Sequence, residues 1–165
     1  MPSHHLLFLL FLFASSFTFT LVDAKAPGPA PRLTSKSTTA LELAARYAAA
    51  GSLSASNASV ALKLIPAQCL TGQVQDCVVL LDHSASQLGR AYQVLARISS
   101  DPVHKPELDD AATWASAALT DLTTCLQAVR SMGQCSSSRE KLVRSLDEAS
   151  RHTSNALHFI SRVKG

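Results

Sequence analysis

Residues of one helical face recur along the second half of the chain at alternating steps of four and three positions, the spacing of a helix that packs in a bundle. Three stretches have this pattern. The first contains Cys77, Leu81, Ser84, Leu88, Ala91, Leu95 and Ile98; the second contains Ala111, Ala115, Ala118, Leu122, Cys125, Val129 and Met132; the third contains Leu142, Leu146, Ala149, Thr153, Ala156, Ile160 and Val163. The small residues on these faces allow neighbouring helices to approach closely.

Turn signals separate these three helices. Ser99 to Pro106 contains two prolines, which end one helix and open the next, and Gln134 to Ser138 forms the second break. Ahead of them, Thr39 to Ala50 has a helical pattern, Gly51 interrupts it, and Ala58 to Ile65 adds a turn or two. We interpret this region as a broken or shortened first helix. The predicted fold class is all-α, an antiparallel up-and-down four-helix bundle.

The amino-terminal segment follows another pattern. Leu6 to Leu21 is almost wholly apolar for about 16 residues, fewer than the roughly 20 that span a bilayer. Small residues precede a cleavage point after Ala24, so residues 1–24 are predicted to be a signal peptide. Residues 25–36 form a proline-rich tether, and the bundle is expected over 37–165. The mature protein is therefore predicted to be secreted and not bound to a membrane.

Composition and charge narrow the function. The chain of 165 residues is long enough for one domain, and its formal charge is +3. Removal of Asp23 with the leader raises that charge to +4, which is too mild and dispersed for a nucleic-acid partner. In a secreted protein the sequon Asn57-Ala58-Ser59 can accept a glycan, so Asn57 is a glycosylation candidate.

The four cysteines of an exported chain should be oxidised. In an antiparallel hairpin, facing residues are equidistant from the turn, and Cys77–Cys125 and Cys69–Cys135 both centre on Asp101-Pro102. Crossed pairing would require a slip of about nine residues, roughly 13 Å along a helix, which is beyond disulfide reach. Nested bridges are therefore predicted, while the local pairs Cys69–Cys77 and Cys125–Cys135 remain open if the chain is unwound or bent there.

Catalytic and metal-binding patterns are missing from the sequence. It contains no nucleophile elbow, zinc-protease motif or phosphate-binding glycine loop. His152 and His158 are the nearest histidines in the mature chain, and their spacing puts them on different helix faces. We therefore predict no catalytic residue, no metal and no cofactor. A secreted, disulfide-stapled bundle of this kind is typically a binding protein.

Three segments resemble the plant invertase and pectin methylesterase inhibitor family. Asp76 to Leu88 is similar to that family's cysteine-led helix, and Thr113 to Cys125 contains its Ser-Ala-Ala-Leu-Thr segment running into a later cysteine. Thr153 to Leu157 resembles the Ser-Asn-Ala-Leu of its last helix. The resemblance implies a four-helix bundle with the cysteines at 77 and 125 bridged. It also implies an inhibitor of a plant cell-wall enzyme, located in the apoplast.

The resemblance implies a 1:1 complex in which the protein covers the active-site cleft of a carbohydrate enzyme. Members directed at invertase are associated with a Pro-Lys-Phe loop, which is missing here, so pectin methylesterase is the predicted target. Acid invertase is the alternative within the family, and a helical carrier of small molecules is the alternative outside it. No cysteine precedes Cys69, so the family's early disulfide is missing and its amino-terminal hairpin is expected to be altered or lost.

Candidate contact residues come from the best-matched segment. They are Thr120, Asp121, Thr123 and Thr124, since Ala118, Leu122 and Cys125 take the buried face.

Overall fold

The computed structural model describes residues 35–70, 72–99, 105–133 and 135–164. Four helices account for most of them: α1 (Ser35–Lys63), α2 (Gly72–Ile98), α3 (Lys105–Arg130) and α4 (Ser136–Lys164). A short 3₁₀ turn, Ala67–Cys69, precedes α2. The predicted signal peptide lies outside the described residues, as does the predicted tether up to residue 34. Helix α1 begins two residues inside that tether.

The helices form the predicted antiparallel bundle, in the order α1, α2, α3, α4 around its axis, with α4 packed against α1. Two large clusters of buried side chains show the alternation of direction. One joins the end of α1, the start of α2, the end of α3 and the start of α4. The other joins the start of α1, the end of α2, the start of α3 and the end of α4. Leu88, Ala115 and Ala118 form a small layer between them.

The predicted buried faces of α2, α3 and α4 are confirmed. Each of their residues is buried except Val163, which is partly buried near the end of α4. Two polar residues on these faces satisfy their hydroxyls within the bundle. Ser84 lies 2.9 Å from the carbonyl oxygen of Leu80 and 3.3 Å from that of Ala118, and Thr153 donates to Ala149 at 2.8 Å. Burying these two hydroxyls on the helix faces therefore leaves no unsatisfied hydrogen-bonding group.

Cross-hairpin contacts between α2 and α3 confirm the predicted register. His83 contacts Asp121 at 2.9 Å, and Arg97 pairs with Glu107 at 2.9 Å near the turn. Both pairs centre on Pro102, as the cysteine positions predicted. The hairpin thus keeps a single register along its length.

Helix α1 is continuous, so the predicted break at Gly51 is wrong. Gly51 lies on the buried face, and a methyl group there would approach Leu88 Cδ1 and Thr153 Oγ1, each at 3.2 Å. Because glycine has no side chain, α1 can lie close to α2 and α4 at this position. The glycine is an adaptation for packing inside a helix, at a cost in helix propensity of about 1 kcal/mol.

A disulfide joins Cys69 and Cys135, as predicted, at a sequence separation of 66. Cys69 lies between α1 and α2, while Cys135 precedes α4 in the left-handed region, at φ 67°. The bridge therefore ties two interhelical connections at the same end of the bundle. Closing a loop of this length stabilises the fold by about 4 kcal/mol in the chain-entropy model.

The second predicted bridge is not formed. Cys77 and Cys125 are free, fully buried thiols, although the hairpin register brings them together as expected. Both residues lie within helices whose backbones are held by packing, whereas the bonded cysteines lie at helix boundaries. The predicted register is confirmed, but the disulfide that it predicted between Cys77 and Cys125 is not present.

Within the described part of the chain, no helix combines the length and apolar character needed to cross a membrane.

Substitution of Gly51 tests the close packing of α1. We expect Gly51→Val to lower the free energy of unfolding by about 1–3 kcal/mol, because the larger side chain overpacks the contact with Leu88 and Thr153. Urea denaturation followed by circular dichroism measures the change.

Gly89→Ala is the matched control. Its new methyl group would meet only Ser52 Oγ, at 3.9 Å, so improved helix propensity should leave the protein as stable or up to about 1 kcal/mol more stable. Equal effects of the two substitutions would contradict the packing role of Gly51.

Candidate functional site

The outer face of α3 carries a continuous row of short, uncharged polar side chains. Its buried face directs Ala118, Leu122 and Cys125 to the core, which leaves the opposite positions in solvent. The exposed row contains Thr113, Ser116, Thr120, Thr123, Thr124 and Gln127. Three of the four predicted contact residues therefore share one surface.

A groove lies beside this row, where α3 meets α4. Its volume is about 400 Å³. Apart from Leu119 and Leu157, which supply apolar surface, its lining is polar: Ser116, Thr120, Thr123, Thr124 and Gln127. We call these seven residues the threonine groove. It combines an apolar strip with hydrogen-bonding groups, as protein-binding surfaces do.

The threonine hydroxyls are already ordered by the helix. Thr120 donates to Ser116 at 3.1 Å, Thr123 to Leu119 at 2.7 Å and Thr124 to Thr120 at 2.9 Å, each time to the backbone carbonyl four positions earlier. In these rotamers the hydroxyl oxygens face a partner as acceptors. Threonine is stiff at χ1, so binding would cost little additional side-chain entropy.

Asp121, the fourth predicted contact residue, belongs to a different surface. Its carboxylate faces α2, where Oδ2 lies 2.9 Å from His83 Nδ1, and its side chain is only 20% exposed. His83 Nε2 in turn lies 3.1 Å from the Gln87 amide nitrogen. Asp121 therefore links α2 to α3, and we assign it to that interhelical contact.

His83 was not among the site residues that the sequence indicated, although it contacts Asp121 in the fold. The signal was available, because His83 and Asp121 are equidistant from the predicted turn at Pro102. Applying the hairpin register to polar residues as well as cysteines would have paired them.

The two free thiols lie directly behind the α2–α3 surface. Cys125 Sγ is 3.7 Å from the Cys77 carbonyl oxygen. Hydrogen bonding with the Cys125 thiol lowers the pKa of Cys77, and the same hydrogen bond together with burial raises the pKa of Cys125. Full burial of both side chains nevertheless separates them from reagents in solvent.

The sequon lies on the outer side of α1. Asn57 is exposed, between three apolar side chains that are also exposed: Leu53 (63%), Val60 (57%) and Leu64 (79%). Ser59, in contrast, is buried and donates to Asp82 Oδ1 at 2.6 Å. The acceptor asparagine is therefore accessible in the folded protein, while the sequon hydroxyl is engaged between α1 and α2.

Asp82 completes this contact between α1 and α2. Hydrogen bonds from Ser59 and Lys63 hold the pKa of the Asp82 carboxyl below its usual range. Both charged side chains are about half exposed, so the ion pair is a modest contribution to stability.

Metal-ligating side chains are not grouped in the described ranges: no cluster of three or more His, Cys, Asp or Glu side chains there has a geometry that could hold an ion.

The fold and the threonine groove define a class of protein, a small disulfide-bonded helical bundle that presents an ordered polar surface suited to binding. Comparison with known proteins specifies the class further. A family model described as plant invertase/pectin methylesterase inhibitor matches residues 24–159. Because this match covers most of the chain, the protein belongs to that family. The match also includes all of α1, which the three resembling sequence segments did not reach.

One curated relative supports the same conclusion. It is named Pectinesterase inhibitor 3, from Arabidopsis thaliana, and is 32% identical to the chain over 92 residues. The alignment covers 53% of this chain and 44% of the relative, so the matched part is under half of the relative's length. No solved structure matches the chain.

Counting thiols tests the state of Cys77 and Cys125. We expect no thiol to react in the folded protein, because both are buried, and two per chain to react in denaturant without a reductant. A chromogenic thiol reagent measures both numbers.

The variant Cys125→Ala calibrates the assay, since it leaves a single thiol at Cys77 whether or not the pair is bonded in the parent. Zero reactive thiols in the denatured parent, with one in this variant, would show that Cys77 and Cys125 are joined.

Proposed function

We propose that the protein is a stoichiometric inhibitor of pectin methylesterase, which it binds 1:1 over the active-site cleft, so that substrate is excluded. The observation that carries this proposal is the threonine groove, within a chain that belongs to an inhibitor family. Steric occlusion needs no covalent step and no catalytic residue.

Charge depletion of the α3 outer face supports its use as a contact surface. Between Asp110 and Arg130, α3 has a single charged residue, Asp121, and that residue faces α2. Lysine and glutamate are depleted in the buried centres of protein interfaces because their desolvation is costly. A neutral face of fixed threonines avoids that cost, and its acceptor oxygens suit a partner that supplies N–H or O–H donors.

Pectin methylesterase is preferred over acid invertase for two reasons. The relative with 32% identity is named as a pectinesterase inhibitor, and the Pro-Lys-Phe tripeptide associated with invertase-directed members is missing from the chain. Invertase inhibition remains the alternative, which the same experiment evaluates.

We further propose secretion to the cell wall, where such a target would be met, and a glycan on Asn57. The exposure of Asn57 on α1 accommodates a glycan without disturbing the core. Since Ser59 is buried against Asp82 in the folded chain, attachment would precede folding. The glycan would then cover the exposed apolar side chains of Leu53, Val60 and Leu64.

Titration against both enzymes tests the proposed function. The protein recovered from a secreting host should abolish pectin methylesterase activity at near-equimolar ratio and leave acid invertase unaffected. Inhibition of invertase alone would reassign the target, and a folded, oxidised sample that inhibits neither enzyme across several isoforms would overturn the proposal.

Arginine scanning tests the threonine groove. Thr123→Arg should weaken inhibition at least about tenfold, because it places a long cation on the neutral surface. Thr39→Arg is the matched control, since Thr39 is also exposed and also donates to a carbonyl four positions earlier, but lies on α1, diagonally across the bundle. Equal inhibition by the two variants would exclude the groove as the contact surface.

Glycosylation is tested by mass spectrometry of protein secreted from an N-glycosylating host. The parent should lose mass on treatment with peptide N-glycosidase, whereas Asn57→Gln should not. Asn155→Gln, an exposed helical asparagine outside any sequon, should behave like the parent. An untreated parent with the mass of the bare polypeptide would refute glycan attachment.

A further inference from the structure

The outer face of α4 carries a row of charged and polar residues at the same alternating steps of three and four as its buried face. We call this the α4 row. Its members are all exposed: Lys141, Arg144, Glu148, Arg151, Asn155, His158 and Arg162. Over these positions the helix rises by roughly 32 Å, so the row is a long, straight surface.

The row is directed away from the rest of the bundle. Leu142, Leu146 and Ile160 lie on the buried face of α4, and the same periodicity puts the row on the opposite side. Leu157, which contributes to the threonine groove, lies between these two faces on the side of α3. The α4 row and the threonine groove are therefore separate surfaces.

The positive charge of the row is not neutralised within the described chain. Four cations, Lys141, Arg144, Arg151 and Arg162, are accompanied by a single carboxylate, Glu148. Two carboxylates beside α4 pair with other cations: Asp147 with Arg130 at 3.2 Å, and Asp109 with Lys164. Glu140, one position before the row, is exposed and leaves the cations of the row in excess. In the described ranges, no ion pair engages any of the four cations of the row.

We infer that the α4 row binds a linear acidic polysaccharide, a polyuronate with one carboxylate on each sugar. Guanidinium groups bind carboxylates through paired, charge-assisted hydrogen bonds, so the three arginines suit this ligand better than a diffuse charge would. A row of fixed cations along a polyanion also gains affinity from release of counterions, as for other linear polyelectrolytes.

This inference rests on the proposed function for its biological setting. Hydrolysis of the methyl esters of pectin leaves free carboxylates on the polymer, so a polyuronate surface forms wherever pectin methylesterase acts. Binding through α4 leaves the α3 groove accessible. The protein would thereby be retained on de-esterified polymer beside the enzyme that it inhibits.

Binding to defined polymers tests the inference without any enzyme, so its outcome is independent of inhibition. The secreted protein is titrated with labelled oligogalacturonate and with its fully methyl-esterified counterpart, at about 50 mM NaCl and at higher salt. We expect binding to the free acid, at least about tenfold weaker binding to the ester, and a steep loss of affinity with salt.

Two variants with equal charge change locate the site. Arg144→Gln combined with Arg151→Gln and Arg162→Gln should weaken binding at least about tenfold at low salt. Arg46→Gln combined with Lys63→Gln and Arg90→Gln removes the same charge from exposed positions on α1 and α2, and should weaken it less than about threefold. Unchanged helical circular dichroism verifies the fold of both variants.

Equal losses in the two triple variants would overturn the assignment to α4, because net charge alone would then explain binding. Equal affinity for the acid and ester polymers would overturn the carboxylate as the recognised group. Tighter binding to duplex DNA than to oligogalacturonate would overturn the class of ligand.

Discussion

Close contact along the α2–α3 hairpin is the constraint on which the other features of this protein depend. Alanine and serine at Ala91, Ala115, Ala118 and Ser84 bring the two helices together, and the side-chain contacts between the helices share one register. That register aligns His83 with Asp121 and Cys77 with Cys125, and it fixes which side of α3 faces solvent. The threonine groove is therefore a consequence of core packing.

Helices α1 and α4 complete the bundle by the same means but with different surfaces. Gly51 removes side-chain volume where α1 meets α2 and α4, while the Cys69–Cys135 bridge ties the interhelical connections at one end. With the core filled in this way, the outer faces are free to differ. That of α3 is neutral and ordered, that of α4 is cationic, and that of α1 places Asn57 among exposed apolar side chains.

These differences suit a protein that has to meet several constraints at once. A neutral face with fixed hydroxyls can be desolvated against an enzyme at low cost, whereas arginines that remain hydrated at the surface attract a polyanion without being buried. Because the two proposed functions lie on different helices, the cations of α4 stay outside the proposed enzyme interface. Stability in turn comes from the buried helix faces, the disulfide and the close packing at Gly51, none of which involves these outer surfaces.

The sequence by itself determined those features that depend on residues close together in the chain or placed symmetrically about one turn. The alternating spacing identified the buried faces of α2, α3 and α4, the prolines located the turn, and symmetry about that turn predicted the Cys69–Cys135 bridge. Resemblance within short segments was enough to identify the family, and the family match confirmed it. These features follow from local periodicity and from one hairpin, so they are readable along the chain.

Only the tertiary structure decided how residues distant in sequence share space. From the sequence alone, Gly51 is interpreted as a break in the helix. The structure shows that Leu88 and Thr153 lie too close to this position to accommodate a side chain without adjustment, so glycine allows the helices to pack here. Asp121 is separated from Thr120 by one position, yet it faces α2, since adjacent helical residues point about 100° apart. The free state of Cys77 and Cys125 was likewise not given by the register, because a register places two residues opposite each other without specifying the distance and orientation that a disulfide requires.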